Sequence, residues 1–291
     1  MPQANYGRLA IGRERSRLHL IGPPMIRVEN LWLHYGVRPV LRGVSMEVAT
    51  GELVVLLGPN GMGKTTLLGC LAGVLWPQEG SVEFDGVGRR HSIEEERALR
   101  KKIAYLPDDC WLPLQKTGRD FLLAVGRLYG VSDFRLFDHA DRLMRLFQLE
   151  DRAESPIDGY STGQRKKIAL ASALITDAPY LLLDEPFSGG LDPAGILALK
   201  TVLKRLAQEN DRTVVMTTPV PELIEELADR VAIIRDGELT NFDTPANLTK
   251  LAGEDATLEQ ALQQLSFPDA LASIDAYFQS SSNRLPPGDE P

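Results

Sequence analysis

Gly58-Pro59-Asn60-Gly61-Met62-Gly63-Lys64-Thr65 places glycine, lysine and threonine at the spacing of a loop that cradles phosphate. The apolar run Leu53 to Leu57 precedes it, and Thr66-Leu67-Leu68 opens an apolar-periodic segment after it. Strand, glycine loop and helix, in that order, is the context in which this string has meaning. Glycines let successive backbone N–H groups turn inward toward anionic oxygen, and a helix N-terminus adds partial positive charge. Residues 58–66 are therefore expected to hold a nucleoside triphosphate, with Lys64 reaching the β- and γ-phosphates and the Thr65 hydroxyl ligating Mg²⁺.

The 291 residues carry 43% hydrophobic and 25% charged side chains, enough for a full core in one large domain or two small ones. A net charge of −8 argues against general nucleic-acid binding, so no nucleic-acid partner is expected. The longest apolar candidate, Ile168 to Leu183, is broken by Asp177 and Pro179 and falls short of the roughly 20 residues of a membrane helix. Any work at a membrane would need a partner to supply the span. Cys70 and Cys110 lack metal-ligand spacing and read as thiols of a cytoplasmic chain. Residues 1–24 contain basic residues but no continuous apolar stretch, and are expected to form a flexible extension ahead of a domain over 25–250.

Ile26 to Leu31, Val44 to Val48 and Val82 to Phe84 alternate apolar and polar residues as half-buried strands do. From about Arg97 to Ala173 the spacing turns helical, with Phe121, Leu122, Val125, Leu128 and Tyr129 on one face. Tyr180 to Leu183 and Thr213 to Met216 read as buried central strands, with a helix from about Pro193 to Glu209 between them. Val231 to Ile234 reads as a final strand, and Leu258, Leu262 and Leu265 mark a helix within the segment 251–291 that ends in a polar tail.

Asp184-Glu185-Pro186 follows the apolar run Tyr180 to Leu183. On a strand emerging beside the phosphate loop, Asp184 can hold Mg²⁺ and Glu185 can polarise a water in line with the γ-phosphorus. Lys64 and Glu185 are thus the expected catalytic residues. Tyr160-Ser161-Thr162-Gly163-Gln164 stands between the two motifs, directly before an apolar helix. A Ser/Gly turn at a helix start is a second anion site, or simply a cap.

In this order the three strings resemble the ATP-binding domains of ABC-type ATPases over roughly residues 26–245, with Thr162 at the middle glycine of the commoner signature. The resemblance implies an α/β P-loop NTPase fold with an antiparallel β flank and an inserted helical subdomain at about 108–175. It implies that Ser161, Gly163 and Gln164 face ATP bound to a second subunit, in a homo- or heterodimer closed by ATP. Tyr35 would stack on adenine, and Gly190-Leu191-Asp192-Pro193 would cross the dimer interface. Lys116 to Asp120 with Leu128-Tyr129-Gly130 look most like the ATPases that drive export-type permeases encoded as separate chains. The expected protein is then the ATPase subunit of a membrane transporter, peripheral on the cytoplasmic face. The alternative is a non-transport relative that uses ATP as a dimerisation switch.

Two positions depart from the family pattern. Asp108 stands where a glutamine touching Mg²⁺ and the attacking water is usual; an aspartate can ligate that hard cation but is shorter and charged. Pro219, in Thr217-Thr218-Pro219, stands where the histidine contacting the γ-phosphate is usual, and proline has no side-chain donor. A shift of one residue would bring the Thr218 hydroxyl there instead. Slow or absent hydrolysis from a homodimer, with ATP binding retained, is the expectation.

Overall fold

The computed structural model describes residues 26–209, 212–253 and 255–268, with Ser273 and Tyr277. The expected extension over 1–24 and the polar tail over 280–291 lie outside the described residues.

β1 (Ile26–Tyr35) turns into β2 (Arg38–Val48), and the two pair antiparallel with Ile26 opposite Val48 and Tyr35 opposite Arg38. β3 (Leu53–Leu57) is buried at all five residues and leads through the glycine loop into α1 (Lys64–Ala72). β4 (Glu79–Phe84) returns beside β1, and β5 (Val87–Gly88) completes a four-stranded antiparallel flank in the order β2-β1-β4-β5. α2 (Ile93–Arg100) then leads into β6 (Ile103–Leu106). That strand corrects the reading of residues 97–173 as helical throughout. A four-residue apolar run carries no periodicity that separates strand from buried helix, and here pairing with a neighbour decides it.

α3 (Gly118–Tyr129), α4 (Asp133–Leu146) and α5 (Thr162–Leu174) form the helical part. β7 (Tyr180–Leu183), α6 (Pro193–Glu209) and β8 (Thr213–Thr217) follow as expected, β8 being one residue longer. After α7 (Pro221–Leu227) and β9 (Arg230–Arg235) comes β10 (Glu238–Asp243), so Val231 to Ile234 is not the last strand. α8 (Pro245–Ala252) and α9 (Leu258–Ser266) close the described chain.

The second sheet runs β10-β9-β3-β8-β7-β6, parallel except for β10. Its central strands are buried on both faces, as parallel strands covered on each side must be. Leu53, Val55 and Leu57 pack into a core shared with α3, α4 and α5, while Val54 and Leu56 pack into one shared with α1 and the antiparallel flank.

A buried ion pair braces the far end of α1. Arg89, 2% exposed at its side chain, donates from Nη2 to the Leu71 carbonyl at 2.6 Å and from Nη1 to Glu96 Oε1 at 2.8 Å. Burial alone would raise the Glu96 pKa. Hydrogen bonds from Arg100 and the Arg90 N–H, with the Arg89 charge, outweigh that and hold the carboxyl below its ordinary value. Breaking a buried pair from one side leaves an uncompensated charge. Glu96→Gln is expected to cost about 2–4 kcal/mol, lowering the melting temperature by about 5–15 °C. Because the folded pKa is depressed, this contribution is complete above the unfolded carboxyl value of about 4.3 and disappears as pH falls through the folded one. Melting curves of both proteins from pH 7 to pH 3 check it: the gap should narrow toward the acid end.

Candidate functional site

Four parallel strands deliver the candidate residues from one edge of the sheet. β3 ends at Leu57 before Gly58, β7 at Leu183 before Asp184, β6 at Leu106 two residues before Asp108, and β8, between β3 and β7, ends at Thr217. The carboxyl ends of parallel strands are where α/β sheets bind ligands.

Two glycines are demanded by close approach. At Gly58, φ +149°, a Cβ would stand 2.0 Å from the Ile234 carbonyl oxygen. At Gly63, φ +104°, it would stand 2.8 Å from the Val40 carbonyl oxygen. Gly63 caps α1, so the helix N-terminus with Lys64, Thr65 and Thr66 opens onto the loop. The Lys64 ammonium donates to the carbonyls of Gly58 at 2.7 Å and Pro59 at 3.0 Å. Burial lowers its pKa, while the charges of Glu185 and Asp184 pull the other way.

A cavity of about 580 Å³ is lined by Tyr35, Arg38, Val40, Asn60, Gly61, Gly63, Lys64, Thr65, Thr66, Asp108 and Glu185. Met62 turns away, its sulfur accepting from the Asp236 N–H at 3.3 Å. Tyr35 is exposed at the end of β1, with Arg38 opposite it across the hairpin. Arg38 was not singled out in the sequence, where a lone arginine at a strand start carries no signal.

Asp184 is 1% exposed. Its Oδ1 accepts from the Thr217 hydroxyl at 2.7 Å, and that same hydroxyl oxygen accepts from the Glu185 N–H at 2.7 Å. Thr217 therefore ties both acidic residues to the neighbouring strand. Asp184 Oδ2 is buried with no hydrogen-bond partner. An orphaned carboxylate oxygen near a lysine and a threonine hydroxyl suits a hard cation such as Mg²⁺. Glu185 sits at φ +42°, a conformation rare for a side-chain-bearing residue and one that tends to occur at functional sites.

Asp108 reaches the cavity wall with company. Ser188 Oγ lies 2.9 Å from Asp108 Oδ1 and 2.8 Å from the Glu185 carbonyl oxygen, its one hydrogen shared between them. Lys166 Nζ stands 3.7 Å from Asp108 Oδ1 on a side chain only 6% exposed, and it makes no hydrogen bond. Pro219 is exposed. The Thr218 hydroxyl is buried and accepts from the Val220 N–H at 3.3 Å, so it serves its own loop.

Ser161, Gly163 and Gln164 line a different cavity, of about 340 Å³, with Gly190 and Asp192. Ser161 and Gln164 form a reciprocal capping box at the start of α5. The helix-cap reading of this turn is thus real within one chain, and the phosphate loop of the same chain lies elsewhere.

A phosphate-loop helix start, an acidic strand end and a shared cavity define a P-loop nucleotide-binding protein of the α/β class. Residues 41–188 match the ABC transporter family. The cobalt import ATP-binding protein CbiO of Salmonella typhimurium (strain LT2) is 32% identical over 225 residues, covering 77% of this chain and 82% of that protein. A solved ATP-binding subunit of an ABC transporter superposes with a TM-score of 0.77 at 26% identity, covering 83% of this chain and 99% of the other. A dimeric bacterial ABC transporter cassette superposes with a TM-score of 0.69 at 26% identity, over 76% and 98% of the two chains. The chain belongs to the ABC transporter family, as an ATP-binding and ATP-hydrolysing subunit.

Thr217→Val keeps the strand and its packing volume but removes the hydroxyl. It is expected to lower the ATPase rate by about 10- to 100-fold, since it frees the carboxylates it positions, while changing ATP affinity less than tenfold. Steady-state hydrolysis beside equilibrium binding of a fluorescent ATP analogue checks the split.

Proposed function

We propose that this chain binds ATP with residues 58–66 and Tyr35, and couples its hydrolysis to a polytopic permease supplied by another chain. The observation that carries the reading is the gathering of Lys64, Thr65, Tyr35 and Glu185 around one cavity, with Ser161, Gly163 and Gln164 around another. A site divided in this way is completed by a second subunit, and a dimeric cassette is among the similar structures. Tyr35 offers its ring to adenine. Thr65, Asp184 and Asp108 would hold Mg²⁺, which would neutralise phosphate charge when bound. Glu185 takes the proton of the attacking water, and Lys64 balances charge on the phosphates.

Turnover by the isolated chain is slow. Pro219 brings no donor to the γ-phosphate, and the Thr218 hydroxyl is buried against the Val220 N–H of its own loop. The loss of one positioned donor or proton carrier is worth on the order of 10²–10⁴ in rate. Steady-state ATPase of the purified protein is expected well below one turnover per second, with ATP binding retained. A rate of several per second, abolished by Glu185→Gln, sinks the proposal.

The permease docks against the helical part, on the cytoplasmic side of the membrane. No helix among the described residues is long and apolar enough to cross a membrane. Trp111, 83% exposed, and Leu114, 41% exposed, follow Asp108 by three and six residues and offer a partner apolar surface on the same segment of chain. Affinity purification from membranes is expected to recover a polytopic chain, and Trp111→Asp to lose it. Recovery of a soluble partner alone overturns this reading in favour of a dimerisation switch.

A further inference from the structure

A second large cavity, of about 530 Å³, opens at the opposite edge of the sheet from the phosphate loop. Asp177, three residues ahead of β7, and Arg212, immediately ahead of β8, mark that edge. Arg135, His139 and Arg142 follow at i, i+4 and i+7 along one face of α4 and form one wall. Arg205 on α6 faces them. Leu143, Leu146 and Leu174 supply an apolar floor.

Four arginines and one carboxylate, Asp177, line this cavity, in a chain whose net charge is −8. Asp177 is shared by Arg212 at 2.9 Å and Arg135 at 3.3 Å, with His139 Nδ1 at 3.9 Å. Arg142 leans outward to Asp138 at 2.8 Å, a pair in which both side chains are more than half exposed and which therefore holds weakly. Arg205 has no ionic partner among the residues whose side chains are described. Among the side chains that line the cavity positive charge exceeds negative, and it surrounds a volume typical of a small-molecule site.

We propose that this cavity binds a small phosphate monoester bearing an apolar substituent, at a site separate from the ATP cavity. Guanidinium forks match phosphate oxygens two at a time. The leucine floor gives the substituent a surface that inorganic phosphate cannot use. His139 reports occupancy. Burial lowers its pKa, Asp177 opposes that, and Arg142, Arg212 and Arg135 push the same way as burial. An anion among those arginines stabilises the imidazolium, so binding raises the value.

The test is a titration of the full chain, with saturating ADP on the phosphate loop, by hexyl phosphate and by inorganic phosphate. The His139 ring resonance is followed by NMR and assigned with His139→Gln. Hexyl phosphate is expected to raise the His139 pKa by about half a unit. It is expected to bind at least about fivefold tighter than inorganic phosphate. Arg142→Gln and Arg205→Gln, at exposed positions where folding is not at stake, are each expected to weaken it about fivefold or more. An unmoved resonance at tens of millimolar hexyl phosphate overturns the site, as does an equal response to chloride at matched ionic strength. Unchanged affinity in both arginine variants overturns it as well.

Discussion

β3 is paired on both sides, with β8 from Leu53–Val214 to Leu56–Thr217 and with β9 from Val54–Arg230 to Leu57–Ile233. Its side chains alternate between two cores, so a slip of one residue would exchange every one of them. Gly58 consequently leaves the sheet at one fixed point, and β9 passes there so closely that only glycine fits. The next strand across carries Thr217 and the one beyond it Asp184, so one hydroxyl can reach both acidic residues. The nucleotide cavity is a consequence of strand order before it is a matter of any side chain.

The strands that carry the site were legible because burial on both faces leaves nearly continuous apolar runs, and Leu53 to Leu57, Tyr180 to Leu183 and Thr213 to Met216 are such runs. β6 was not, since four residues between two helices show no period. β10 was hidden for the opposite reason: its residues, Glu238 to Asp243, are half-buried or exposed and lack an apolar run. Within the site, the phosphate loop, Asp184 and Glu185 announce themselves by local spacing. Thr217 does not, because its role depends on β8 lying between β3 and β7. Arg38 and Lys166 are likewise invisible, the one brought to the cavity by a hairpin and the other to Asp108 by a helix distant in sequence.

Lys166 changes how Asp108 is understood. Read alone, an aspartate in place of a neutral amide adds repulsion toward the phosphates. With an ammonium 3.7 Å away, that charge is balanced from within the same chain. The pair has little to offer stability, since a half-exposed carboxylate and a buried cation gain at most about 1 kcal/mol after screening and desolvation. Its worth is electrostatic: the wall of the ATP cavity stays near neutral while retaining an oxygen that can face a cation.

The cavity lined by Ser161, Gly163 and Gln164 follows the same logic of saturation and excess. Ser161 and Gln164 satisfy each other in the capping box, which explains their presence without any ligand. Gly163 is not explained that way. A Cβ there would stand 2.5 Å from the Gly190 carbonyl oxygen, so the glycine is what lets the loop after Glu185 lie against the start of α5. Lys167 then clamps that loop through Asp192 at 2.9 Å, holding the Asp192 carboxyl below its ordinary pKa together with the Gly195 N–H. The signature turn and the loop that follows the catalytic strand are therefore one unit of surface. Any partner that engages Ser161 therefore meets Gly190 and Asp192 as well, since all three line one cavity, and it meets through them the loop that leaves the acidic strand end.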